Sequence, residues 1–158
     1  MPYSTGEPSV EQISAVIDEF LDREGPLLPL LHGLQAEFGH VPQAAVEPIS
    51  EALNLSKAEV HGVLSFYHDF RKAPAGRHVV KICRAEACQA VGGEALAEAV
   101  LKKFGLDWHG TTLNGAVTLE PVYCLGLCAC GPAAMVDGKV VGRVTEAHLS
   151  QILEEADA

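Results

Sequence analysis

Five cysteines fall in two groups, and that grouping does more than any other feature to limit the fold. Cys83 and Cys88 stand with four residues between them, and 35 residues follow. Cys124 and Cys128 then stand with three between them, and Cys130 lies just beyond. Each pair begins where a strand-like segment ends: HVVKIC over 78–83 and AVTLEPVYC over 116–124. In open α/β sheets, ligands collect beyond the carboxyl ends of the strands. If the two strands are neighbours, the thiol pairs face one another across a loop-lined pocket. Four thiolates from two loops are the donor set of an all-thiolate metal site.

Three kinds of chemistry fit these thiols. Four-cysteine zinc sites favour tight knuckles with two to four intervening residues; the gaps here permit zinc without being typical of it. A [2Fe–2S] cluster is larger than one ion and takes two protein sulfurs on each iron, so its pairs can be wider and more independent. Its natural division sets Cys83 with Cys88 and Cys124 with Cys128. Disulfides or free thiols are the third reading. A thioredoxin-type redox pair needs C-x-x-C, which the sequence lacks. A Rieske centre needs two histidines in place of two cysteines, and none of the seven histidines lies inside either pair. Gly126 lets the second loop wrap closely and aim an N–H at a sulfur. The helix after Cys88 is expected to supply further N–H donors. Cys130 reads as a small buried hydrophobe, and His40 and His68 as capping or surface residues.

The pattern around the thiols predicts an α+β chain: an N-terminal helical bundle over 1–76, followed by a thioredoxin-like α/β domain over 77–158. In the first part Ser9 and Gln12 form a capping box ahead of an apolar stripe at Val10, Ile13, Ile17, Phe20 and Leu21. Gly25-Pro26 ends this helix. Leu27, Leu30, Leu31, Leu34 and Phe38 mark a second, and Val46, Ile49 and Leu53 a third, with Pro48 in its first turn. Ser56 and Glu59 cap a fourth whose inward residues are Val60, Val63, Leu64 and Tyr67. The segment RKAPAGRH, 71–78, reads as the boundary. After it come a strand, a helix over 92–104 and a second strand. Then AAMV and KVVGRV flank Asp137-Gly138, a two-residue hairpin signal. Thr145 caps a last helix with Leu149, Ile152 and Leu153 apolar. Strand, helix, strand, hairpin, helix is the thioredoxin-like order.

Charge excludes some functions. The net charge is −10. Residues 1–76 hold 4 basic against 11 acidic groups, and residues 77–158 hold 7 against 10. Nucleic acid is not an expected partner, because phosphate binding needs a basic patch. No run approaches the 18 apolar residues of a membrane span. MPYSTGEPSVEQ carries no basic-then-apolar leader, so a cytoplasmic protein is expected. G-x-G-x-x-G is absent, so the chain is not expected to bind a dinucleotide or catalyse a reaction alone.

FGHVP (38–42), HGVLSFYHDF (61–70), C-x4-C at 83–88 and CLGLC (124–128) followed by Pro132 occur in one order along most of the chain. Together they resemble the 24 kDa subunit family of respiratory complex I, a thioredoxin-like [2Fe–2S] ferredoxin with an N-terminal helical bundle. The resemblance implies that Cys83, Cys88, Cys124 and Cys128 bind one [2Fe–2S] cluster and that Cys130 does not. CRAEACQ and FYHDF are most similar to the gamma subunit of soluble, molybdenum-containing, NAD-dependent formate dehydrogenases. The small diaphorase subunit of NAD-reducing hydrogenases is the other near branch. The resemblance further implies an FMN- and NAD-binding partner subunit carrying a [4Fe–4S] cluster, and a molybdenum-containing catalytic subunit in the same complex. This chain would serve as the electron-transfer subunit. A low potential is expected, since the four-thiolate cluster is already anionic in an acidic chain, with Lys81 and Arg84 opposing that trend.

Overall fold

The computed structural model describes residues 7–157. Residues 1–6, the start of the segment read for a leader, lie outside the described residues. The chain divides between Pro74 and Ala75 into two compact units.

In the first unit, α1 (Val10–Asp18) opens with the expected capping box. Ser9 Oγ accepts the Gln12 N–H at 3.3 Å, and Gln12 Oε1 accepts the Ser9 N–H at 2.8 Å. α2 (Leu27–Phe38) follows Pro26 and stops at Gly39, whose φ of 76° suits a left-handed helix end. α3 (Val46–Leu53) carries Pro48 in its first turn, and α4 (Lys57–Phe66) is capped by Ser56 and Glu59. Ile13, Ile17, Leu30, Leu31, Leu34, Ile49, Val60 and Phe70 bury together in one core. Two details differ from the periodic reading. α1 ends before Phe20 and Leu21; Leu21 is exposed, and so is Val10 in the first turn of the helix. Tyr67 lies just past α4 in extended backbone and is 43 % exposed, so it does not face inward.

The α4 cap yields a prediction. Ser56→Ala removes the acceptor for the Glu59 N–H and is expected to cost about 1 kcal/mol in thermal or denaturant unfolding. The Glu59 carboxylate accepts the Ser56 N–H at 2.8 Å, and this backbone bond, then the hydroxyl, holds its pKa below the usual value. That contribution is therefore present at neutral pH and is lost as pH falls through the lowered value.

The second unit is built on a four-stranded sheet in the order β2-β1-β3-β4. β1 (His78–Cys83) is parallel to β2 (Val117–Val122) and antiparallel to β3 (Ala134–Val136), which pairs in turn with β4 (Lys139–Val141). Asp137 and Gly138 make the two-residue turn between β3 and β4 with φ of 48° and 82°. The Asp137 carboxylate also takes the Val79 N–H at 2.9 Å and the His78 ring at 2.7 Å, fixing the hairpin to β1. The segment 109–112 runs beside β2, with its backbone bonded to Val117 and Leu119. Between β1 and β2 lie α5 (Glu86–Ala90) and α6 (Gly93–Phe104); α7 (Glu146–Asp157) closes the unit with Thr145 Oγ1 accepting the His148 N–H. Leu96 and Val100 of α6, Leu149 and Leu153 of α7, and Val80, Ile82 and Leu119 of the strands share one core. The fold is α+β, with the expected order of elements and one addition, the short helix α5, which no apolar periodicity announces.

Candidate metal centre

β1 is the central strand, so its end is held on both sides. The Cys83 N–H donates to the Ala133 carbonyl at 2.9 Å, and the Arg84 N–H donates to the Val122 carbonyl at 2.7 Å. Cys83 is thereby fixed and buried, at 2 % exposure. Cys88 lies inside α5, where its N–H donates to the Ala85 carbonyl at 2.9 Å, and it too is 2 % exposed. The Gln89 side-chain amide donates to the Arg84 carbonyl at 2.6 Å, closing the turn from strand to helix. Ala85, Val122, Leu125, Leu127 and Ala133 pack around the two buried thiols.

The second pair is built differently. β2 stops at Val122, so Tyr123 and Cys124 belong to the loop rather than to the strand that the sequence predicts over 116–124. Cys124 takes a φ of 116° and Gly126 one of 76°. This tight path brings the Gly126 N–H to 3.3 Å from Cys124 Sγ. Cys128 opens a single 3-10 turn, Cys128–Cys130, and its Sγ lies 3.9 Å from Cys124 Sγ, in hydrogen-bond contact and too far for a disulfide. Both of these thiols are exposed.

The pairs feel one another: Cys83 acts on Cys128, and Cys128 acts on Cys88. Burial raises the Cys88 pKa most, followed by its hydrogen bond with Cys83, while the Ala133 N–H acts in the opposite sense. Cys128 is raised first by its hydrogen bond with Cys124, then by that thiol's charge and by burial, and Cys83 adds to it. So many thiols in one place resist ionising together unless a cation compensates them. Among the described residues, no group of three or more His, Cys, Asp or Glu is set to hold a single metal ion. The thiols come as two pairs that act on one another, a donor set that fits a two-iron group.

Four further features of the site do not emerge from the sequence. The Gly93 Cα approaches Cys88 so closely that a Cβ there would sit 2.6 Å from its carbonyl oxygen. A Cβ on Gly131 would lie 3.0 Å from Val91 Cγ2 and 3.5 Å from Cys88 Sγ. The Ala133 N–H acts on Cys88, whereas the sequence points to donors from the following helix. The cations near Cys83 are both paired: Lys81 with the buried Glu120 at 3.2 Å, and Arg84 with Glu94 of α6. The sequence signals are the paired glycines at 92–93 and the C-G-P at 130–132, which announce close backbone approach without naming the partner.

Cys130 is half-buried. Its carbonyl accepts the Arg143 N–H at 2.6 Å, and its Cβ packs on Gly142, where any added Cβ would lie 2.9 Å away. Cys130→Ser is expected to leave the visible spectrum of the purified protein unchanged; loss of colour would make Cys130 a ligand. In the helical unit, His40 Nδ1 lies 3.0 Å from the Phe38 carbonyl and His68 is exposed.

A strand that ends in a thiol, a parallel neighbour followed by a second thiol loop, the helices that cross between them and a hairpin define a thioredoxin-like domain with two thiol pairs at one end of its strands. The chain belongs to the thioredoxin-like [2Fe-2S] ferredoxin family, whose model matches residues 13–157, and that family carries one [2Fe–2S] cluster. It is 30 % identical over 149 residues to the HndA subunit of the NADP-reducing hydrogenase of Solidesulfovibrio fructosivorans, covering 94 % of this chain and 87 % of that one. It is 31 % identical over 148 residues to a subunit of the NADH-quinone oxidoreductase of Pseudomonas aeruginosa, covering 94 % and 89 %. Among solved structures, an air-oxidised NAD+-reducing [NiFe]-hydrogenase superposes with a TM-score of 0.67 at 24 % identity. That match covers 83 % of this chain and 22 % of the hydrogenase chain, and it shows the fold.

Proposed function

We propose that Cys83, Cys88, Cys124 and Cys128 hold the [2Fe–2S] cluster and that the chain is the electron-transfer subunit of an NAD(P)-linked oxidoreductase of the hydrogenase or complex I type. The observation that carries this reading is the pairing of the thiols, two buried and two exposed, with Cys83 acting on both pairs. The bound cluster supplies one-electron exchange. The chain supplies the rest. Ala85, Val122, Leu125, Leu127 and Ala133 keep water from the buried thiols, and the Gly126 and Ala133 N–H groups offset charge on the sulfurs. The exposed pair, Cys124 and Cys128, marks the side a redox partner can approach. The division of labour places the cluster in 77–158 and leaves the bundle, 1–76, for assembly. The partner is a subunit that binds FMN and NAD(H). No helix among the described residues is long and apolar enough to cross a membrane, and the proposed complex works in the cytoplasm.

The segments CRAEACQ and FYHDF favour a second reading, the corresponding subunit of a molybdenum-containing formate dehydrogenase. Relatives matched over most of their length include subunits of a hydrogenase and of NADH-quinone oxidoreductase, and they support the first reading over the second.

Spectroscopy tests the cluster. The aerobically purified chain is expected to be red-brown, EPR-silent as isolated and EPR-active after reduction. A colourless protein holding one zinc would overturn the reading. Purification from the native host tests the complex: NAD(P) reduction with hydrogen, or NADH oxidation by quinone, supports the first reading. Formate-dependent NAD reduction with a molybdenum subunit supports the second.

A further inference from the structure

Arg84 follows the buried ligand Cys83, and its backbone is bonded on both sides, to Val122 and to Gln89. The guanidinium therefore leaves β1 from a fixed point. It forms an ion pair with Glu94 in the first turn of α6 and lies 5.3 Å from the centre of the Trp108 ring. Only part of its charge is answered. The Arg84 Nε is buried without a hydrogen-bond partner, and the side chain as a whole is 25 % exposed. Glu94 is 43 % exposed. Among the described residues this is a permanent cation held within one residue of the site, with its counter-ion on a different element.

A cation near a cluster favours the reduced, more anionic form, and a carboxylate disfavours it. The two charges of one pair therefore pull the potential in opposite directions. We propose that this ion pair tunes the reduction potential from outside the ligand set: Arg84 raises it, and Glu94, as its counter-charge, limits the rise. Trp108 covers the guanidinium and keeps the pair from being fully screened by water. The proposal rests on the assignment of Cys83 as a ligand.

Redox titration of the cluster-loaded full chain, followed by visible absorption and EPR, tests it. Glu94→Gln is expected to shift the reduction equilibrium about three- to tenfold toward the reduced form, a tenfold shift being 59 mV for one electron. Arg84→Gln is expected to shift it by a similar factor the other way. The double variant should return close to the parent, and Arg84→Lys, which keeps the charge, should move it least. Shifts of one sign for Glu94→Gln and Arg84→Gln would mean that the pair only braces the loop, and would overturn the proposal. Unchanged potentials would overturn it too. If Arg84→Gln fails to fold, the Glu94→Gln shift alone decides by its sign, since loss of the counter-charge raises the potential whereas loss of a brace for Arg84 lowers it. Failure of the ligand assignment is distinguishable, because Cys83→Ala would then keep the visible spectrum.

Discussion

Cys88→Ala is expected to give a folded protein that has lost its visible absorption and its reduced-state EPR signal. The substitution removes a donor from a place that offers no substitute. Cys88 is 2 % exposed, lies inside α5, and is enclosed with Cys83, Ala133 and the apolar residues packed on them. Water cannot enter to complete a coordination sphere there, and a missing ligand typically costs a metal site its occupancy. The fold should survive, because the core of this unit lies among Val80, Ile82, Leu96, Val100, Leu119 and Leu149. Serine makes the contrast sharper. At Cys88 its shorter side chain is held by α5 in a packed apolar surround and cannot reach out. At the exposed Cys124, on a loop containing Gly126, the backbone can close part of that gap. Cys124→Ser is therefore expected to retain more colour than Cys88→Ser. Equal colour in the two would contradict this account of a rigid and an adaptable half.

Gly93→Ala is expected to lower the unfolding free energy by about 1–3 kcal/mol and to reduce the iron recovered per chain. The cause is backbone against backbone. An added Cβ would meet the Cys88 carbonyl oxygen at 2.6 Å and its carbon at 2.9 Å, and neither atom can swing aside as a side-chain end could. Either α6 moves away from the sheet or α5 carries Cys88 out of place. The first response appears as lost stability, and the second as lost iron with the melting temperature little changed. Thermal unfolding and iron quantification on one preparation separate them. Gly62 is a suitable control, because an added Cβ there meets nothing within 4 Å.

Much of this architecture could be read from the residues alone. The capping boxes at Ser9 and Ser56, the Asp137-Gly138 turn and the order of elements follow local rules in which side chain and backbone act within a few positions of one another. The grouping of the cysteines narrowed the chemistry to three kinds, and the longer motifs, through the family they resemble, pointed to the [2Fe–2S] cluster. Other features depend on distant placement. α5 is five residues long, too short for a periodic apolar pattern, so Cys88 reads as a loop residue. Leu21 and Tyr67 continue helical periodicities past the ends of α1 and α4. Lys81 and Arg84 read as uncompensated cations because their carboxylates, Glu120 and Glu94, are far along the chain and meet them only once β2 and α6 are laid down.

The sheet order β2-β1-β3-β4 leaves two outer strands, and neither invites another strand. Beside β2, the segment 109–112 already takes the backbone groups of Val117 and Leu119, and Pro121 further along has no N–H to offer. β4 is three residues long and begins with a lysine, a short charged border of the kind that discourages pairing. A second polypeptide therefore finds little to gain by extending this sheet. It has to meet side chains and loops, and the loop that carries two exposed thiols, Cys124 and Cys128, is among those the closed borders leave open to it.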